Sequence, residues 1–226
     1  MREVVWAVVG WLLGIGGARR AREDIAVAHM RGTADFYGAL STSGAFVPAG
    51  AFLTGAAAYG IADRLPGNVA TFAFVVFATS LVRLMLVDID THLLPRGTSR
   101  GAALLGLVLL GFASLVQWDP ARWWWGILGS FLMWLVLRVL QSLSRGDLGG
   151  GDVSLGVLTG LHLGWLAIGN VWIALLVSFV IGGAAGLVTL VVRRDRRHHM
   201  AFGPALVLGA LLTVVFEQQL RGWLTG

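Results

Sequence analysis

The chain has 226 residues, of which 57% are hydrophobic and only 13% charged, with net charge +5 and mean hydropathy +0.78. A water-soluble domain carries about a quarter charged residues, so this composition excludes an ordinary soluble fold and identifies an integral membrane protein. There is no cysteine, which excludes disulfides, thiolate zinc sites and a cysteine nucleophile. The basic residues are all arginine and fit the topogenic signal beside membrane spans, so no nucleic-acid partner is implied.

Only helices and closed barrels can face lipid, because every backbone polar group must be satisfied internally. The apolar runs here are continuous rather than alternating, which selects helices. The predicted fold class is an all-α membrane protein, a single-domain polytopic bundle of about eight transmembrane helices over residues 1–226.

The first predicted span is 4–17. A signal peptide carries its charge before the apolar run; here Arg19, Arg20 and Arg22 follow it, so a retained span is expected. Residues 18–42 are polar and basic and read as a short loop. The second span is 45–62, with a turn at Asp63 to Gly67. The third, 68–87, runs into Asp88. The fourth is 101–116, followed by a short loop containing Pro120. The fifth is 123–140 and opens on Trp123, Trp124 and Trp125, an interfacial aromatic belt. A polar loop follows, then the sixth span at 153–168 and, after Gly169-Asn170, the seventh at 171–192. A basic segment (193–199) precedes the eighth, 201–216.

Counting arginines orients the bundle. With the loop after the first span inside, eleven arginines fall in inner loops and four outside. Arg83 and Arg138 lie near inner span ends, where they can snorkel toward headgroups; pairing of Arg83 or Arg138 with Asp88 or Asp147 is a weaker option. This bias puts both termini outside and sets Asp88 and Asp152 at the cytoplasmic boundary. Embedding in a lipid bilayer is the expected location.

Carboxylates are expensive in such a chain, and each calls for an explanation. Glu23, Asp24, Asp35 and Asp195 read as solvated loop charges, and Asp63 and Asp119 as outer turns. Four others need more: Asp88, Asp90, Asp147 and Asp152. Asp152 follows Gly149-Gly150-Gly151 and begins an apolar helix. Helix capping accounts for the aspartate but not for the glycines, which admit close backbone approach. Asp88 ends a span. Asp90, two residues on, points away from it on a helix, so the two are not expected to share a site. His92 reads as an interfacial polar residue, and Leu94-Pro95 ends the helix.

Two carboxylates suit general acid–base hydrolysis. One takes a proton from water while the other, protonated, polarises the scissile carbonyl; close carboxylates split their titrations and share one proton. Such chemistry needs no metal or other cofactor. The histidines form no H-x-x-x-H pair, and His198-His199 suits headgroups better than a metal. No serine has a base partner in sequence, and no phosphate-binding glycine loop occurs.

The stretch Asp88-Ile89-Asp90-Thr91-His92-Leu93-Leu94-Pro95 resembles the first active-site motif of bacterial type IV prepilin peptidases, an aspartate followed seven residues later by proline. Gly149-Gly150-Gly151-Asp152 resembles their second motif, GxGDxK, and Phe202-Gly203-Pro204 resembles the stretch opening their last span. The resemblance covers roughly 45–220 and implies the GxGD aspartyl protease fold. It implies cleavage of the basic leader of prepilins and pseudopilins, after a glycine, at the cytoplasmic face. Carried over by position, Asp88 and Asp152 would be the catalytic aspartates, and Gly149 and Gly151 the motif glycines. Asp90, Pro95, Ser154, Phe202, Gly203 and Pro204 would be supporting positions.

The sequence departs from the pattern in four places. Ser154 stands for the motif lysine, Arg96 for an acid after the motif proline, and Ala201 for a proline. The 18–42 loop stands where bifunctional members carry a zinc-containing methyltransferase domain, so no methyl transfer is expected. Two other hypotheses compete: a degenerate relative that binds pilin-like segments without cutting them, supported by Ser154, and a proton-coupled transporter. The transporter would want its carboxylates near the midplane, whereas these fall at the edge. The sequence leaves the oligomeric state open.

Overall fold

A computed structural model describes residues 1–31, 40–65, 67–144, 148–193 and 202–225. Its elements are α1 (Arg2–Met30), a 3-10 turn (Leu40–Thr42), α2 (Phe46–Arg64), α3 (Asn68–Thr91), α4 (Arg96–Val116), α5 (Pro120–Leu143), α6 (Gly150–Leu166), α7 (Gly169–Arg193) and α8 (Gly203–Thr225). Among the described residues there is no strand. A helix lies at every expected place, and the described residues are all-α. Asp35, Asp147, Asp195, Ala201 and the basic segment after Arg193 lie outside the described residues.

Several boundaries differ from expectation. The first helix does not stop at 17 but continues to Met30, so 18–30 is not a loop. No proline interrupts it, and Ala18, Ala21 and Ile25 give the extension a buried face. Asp24, expected to be solvated, instead accepts hydrogen bonds from Arg83 Nε and Nη2 at 3.1 and 2.7 Å. Arg83 therefore pairs with α1 rather than with Asp88. Helix α4 starts five residues early, at Arg96, because Pro95 is its N-cap and fixes the entering backbone. The turn before α7 centres on Ala167, whose extended backbone ends α6, so Gly169 and Asn170 already belong to α7.

Five helices are long and apolar enough to cross a membrane by length and composition: α1, α3, α4, α5 and α7 through Val188. Helix α2 is rich in glycine and alanine, α6 has 17 residues, and the apolar part of α8 is Gly203–Glu217.

Small residues decide which helices touch by backbone, as expected where lipid tails compete with apolar side chains for contact. A Cβ on Gly14 would sit 2.8 Å from Ala51 Cα, so α1 and α2 pack closely. On α5, a Cβ on Gly129 would sit 2.7 Å from Gly164 Cα of α6.

Helices α3 and α6 meet differently, through side chains. Phe77 stacks on His162 with ring centroids 4.0 Å apart, and Phe74 meets His162 edge-on and Trp165 at 5.8 Å. These rings, together with Leu81, Leu84, Leu155 and Leu158, form the centre of the core. The indole of Trp165 donates to Ser114 Oγ at 2.8 Å, which satisfies its buried N–H and ties α6 to α4. Asp88 and Asp152 are thus carried on the two helices nearest the core, held apart by aromatic side chains.

Candidate active site

One end of the bundle collects the last turn of α3 and the first turns of α4, α6 and α8. Asp88 lies on α3 at 3% exposure and Asp152 on α6 at 7%. Both adjoin the Leu94 link: Gly151, the residue before Asp152, packs on Leu94, and Gly203 packs on both Leu94 and the Asp88 carboxyl. Each keeps one buried oxygen, Asp88 Oδ2 and Asp152 Oδ1, without a hydrogen-bond partner among the described residues. Buried polar atoms are almost always paired, so two unpaired carboxylate oxygens at one end of a core mark a chemically poised place.

The two aspartates are held unequally. Asp152 stands in the first turn of α6, and its Oδ2 accepts the Gly149 N–H at 3.1 Å. The Asp152 N–H in turn donates to Gly149 O at 3.1 Å. This is a capping arrangement, and it puts the carboxylate at the positive end of the helix dipole. The capping role and the site role therefore coexist in one residue, with the free Oδ1 left over. Asp88 sits near the negative end of α3, where its backbone carbonyl accepts the His92 N–H at 2.8 Å.

Glycines bring other elements against these side chains. A Cβ on Gly203 would lie 3.1 Å from Asp88 Cγ and 3.0 Å from Leu94 Cδ1. The start of α8 thus presses on the Asp88 carboxyl group. A Cβ on Gly151 would lie 2.9 Å from Leu94 O. Leu94, in the link between α3 and α4, is wedged between the two glycine-bearing helix starts. Its residue type carries no signal of this; only its place before Pro95 does. Phe202 packs on Phe179 of α7 with centroids 5.5 Å apart, and Leu206 N–H donates to Phe202 O, which fixes the first turn of α8 across Pro204.

The remaining predicted positions divide. Asp90 is fully buried and faces away from the pair. Its oxygens accept the backbone N–H groups of Leu40 and Ser41 at 3.3 and 3.1 Å, so it clamps the turn before α2 onto α3. His92 takes a left-handed backbone conformation, φ 49°, and ends α3; Thr91 Oγ1 donates to Val87 O. Pro95 starts α4. Ser154 Oγ donates to Gly150 O at 3.2 Å, within its own helix. Two departures from the resembled motifs, Arg96 and Ser154, prove to be neighbours: both line one groove between α4, α5 and α6. A Cβ on Gly150 would lie 2.8 Å from the Arg96 guanidinium carbon. Among the described residues no group of three or more His, Asp or Glu side chains converges.

Comparison with known proteins gives one family and two relatives. The profile of the type IV leader peptidase family matches residues 75–187, a stretch that contains both aspartates. A prepilin leader peptidase/N-methyltransferase of Bacillus subtilis (strain 168) is 28% identical over 145 residues, 64% of this chain and 56% of that protein. A prepilin leader peptidase/N-methyltransferase of Pseudomonas putida is 28% identical over 162 residues, 71% of this chain and 55% of that protein. The chain therefore spans about half the length of the curated relatives it matches. No solved structure matches.

Proposed function

The chain belongs to the type IV leader peptidase family, and on that premise we propose that it is a membrane aspartic endopeptidase with Asp88 and Asp152 as its catalytic pair. The observation that carries this reading is the convergence of two buried carboxylates, distant in sequence, each with an unpaired oxygen. Asp152 already accepts a backbone N–H at a helix N-terminus, which favours its ionised form over that of Asp88 and makes it the base. Asp88 receives no such donor on Oδ2 and takes the role of the acid.

In this mechanism Asp152 removes a proton from water as the water oxygen attacks the scissile carbonyl carbon. Asp88 gives its proton to the carbonyl oxygen. Collapse of the tetrahedral adduct breaks the C–N bond. The leaving nitrogen takes the proton held by Asp152, and the hydroxyl proton of the adduct returns to Asp88. Both carboxylates end as they began.

The substrates are the leaders of prepilin-like proteins, by analogy with the named activity of the relatives. Cleavage after glycine suits a pair this buried, because a residue without Cβ lets the scissile backbone come close. The arginine distribution supports a site at the cytoplasmic face of the cell membrane. We expect no methyl transfer, since the segment between α1 and α2 contains no cysteine.

Co-expression with a tagged prepilin from the same genome tests this. The expected product is a shortened protein with a new, unmethylated N-terminus just after a glycine, lost in Asp88→Asn and in Asp152→Asn while both variants still insert in the membrane. Cleavage that persists in both variants would sink the assignment. A second reading, a relative that binds such segments without cutting, draws on Ser154, whose hydroxyl is occupied within its own helix. Binding without any cleavage, restored to cleavage by Ser154→Lys, would favour it.

A further inference from the structure

A groove of about 920 Å³ lies between α4 and α5, with α6 as its floor. It is not the carboxylate pair: Val153, Ser154, Val157 and Leu161 face it, and neither aspartate lines it. Its two ends differ in chemistry. One end holds Arg96, Arg100 and Arg138 with Gln141 and Ser154; the remainder is walled by side chains such as Leu104, Leu107, Phe131 and Trp134.

The arginine end carries positive charge that no carboxylate among the described residues neutralises. Arg96, Arg100 and Arg138 are exposed, and none of them takes part in an ion pair among those residues. Arg138 donates to the neutral Gln141, at 2.5 Å. Arg96 and Arg100 also occupy the first turns of α4, where no side chain caps the helix. Cations there add to the positive end of the dipole, an arrangement that favours an anion.

Length identifies the anion. Along α4 from Arg96 to Leu107, and along α6 from Gly150 to Leu161, the groove covers about three turns, roughly 16 Å at 1.5 Å per residue. That is about half of a hydrocarbon core of about 30 Å. The walls are apolar, and Leu104 is 64% and Phe131 53% exposed on the outer face of the bundle, so the groove opens toward lipid. An anionic head with an apolar tail of one leaflet's depth fits both ends. A basic leader does not fit the arginine end.

We propose that this groove binds an anionic phospholipid, its phosphate held by Arg96, Arg100 and Arg138 and one acyl chain lying between α4 and α5. The lipid head then rests beside Gly150, two residues from Asp152, so lipid composition bears directly on the mouth of the site.

The test is native mass spectrometry of the full chain in detergent, titrated with phosphatidylglycerol and with phosphatidylcholine of identical chains. An arginine near a membrane surface contributes about 1 kcal/mol toward anionic lipid, so two of them give a preference of about tenfold or more. Arg96→Gln combined with Arg100→Gln and Arg138→Gln should bring the ratio to near parity, while Arg20→Gln, far from the groove, should leave it unchanged. Leu104→Trp, which fills the tail region and keeps every arginine, should weaken retention of both lipids. Equal retention of the two lipids by the unaltered chain, a preference that survives the triple substitution, or competition by inorganic phosphate as effective as by the lipid would each overturn the proposal. So would a dimer that excludes lipid and dissociates in Leu104→Trp, since the groove would then belong to a second copy of the chain.

Discussion

Two helix pairings in this protein are built on opposite principles. Helices α5 and α6 meet backbone to backbone through Gly129, Gly160 and Gly164. Helices α3 and α6, which carry the aspartates, meet through Phe74, Phe77, His162 and Trp165. Glycine contact brings two helices to minimum distance and leaves no room between them. Aromatic contact sets a wider distance, and the carboxylates stand about three turns farther along the same two helices. The same α6 is therefore fixed rigidly on one side and spaced on the other.

Substitutions that shift either principle should have graded effects. Phe77→Ala removes the ring stacked on His162 and leaves a cavity between α3 and α6, at a cost of about 3–5 kcal/mol. A large drop in the thermal midpoint in detergent, with proteolytic activity falling more than helix content, is the expected result; an unchanged midpoint would show that the aromatic spacer is dispensable. Gly203→Ala puts a methyl group against the Asp88 carboxyl and Leu94. Displacement of a reacting group by a fraction of an ångström to 1 Å should lower cleavage by about 10²-fold, with the thermal midpoint little changed. Gly129→Ala drives a methyl into the α6 backbone, which cannot yield as a side chain can; overpacking of this kind costs about 1–3 kcal/mol. Thermal unfolding should report the loss, and cleavage at low temperature should persist, because the α3–α6 spacing is untouched. The smallest effect belongs to Asp24→Asn. The Arg83–Asp24 pair is 22% and 31% exposed, and partly solvated pairs contribute about 0–1 kcal/mol. A shift of more than a few degrees in the midpoint would mean that the α1 extension steadies the end of α3 more than a surface pair can.

Much of the site is legible in sequence, for a physical reason. A carboxylate at the end of an apolar run is costly, so Asp88 and Asp152 stand out by residue type and position alone. Asp90 stands out equally, and only half of that signal is useful. Helical geometry sets it apart from Asp88, but its partners, the Leu40 and Ser41 amides, come from a segment whose return to α3 leaves no local trace. The Arg83–Asp24 pair escapes notice for a similar reason. Residues 18–30 are polar enough to read as a loop, yet they continue α1 because three small or apolar side chains on one face find a surface to pack against. The groove is invisible in sequence. Arg96, Arg100 and Arg138 look like topogenic charges, and no local pattern signals that α4 and α5 bring them to one place.

By itself, then, the sequence determined that this chain is a helical membrane protein and which two carboxylates to watch. Both follow from the cost of exposing polar groups to lipid, a cost each residue carries wherever it ends up. Tertiary structure decided what those residues face: Gly203 against Asp88, Leu94 between two glycines, aromatic rings between α3 and α6, and an arginine-headed groove beside Gly150. These relations depend on distances between helices, and such distances are set by how whole faces of small and large side chains fit together rather than by any local run of residues.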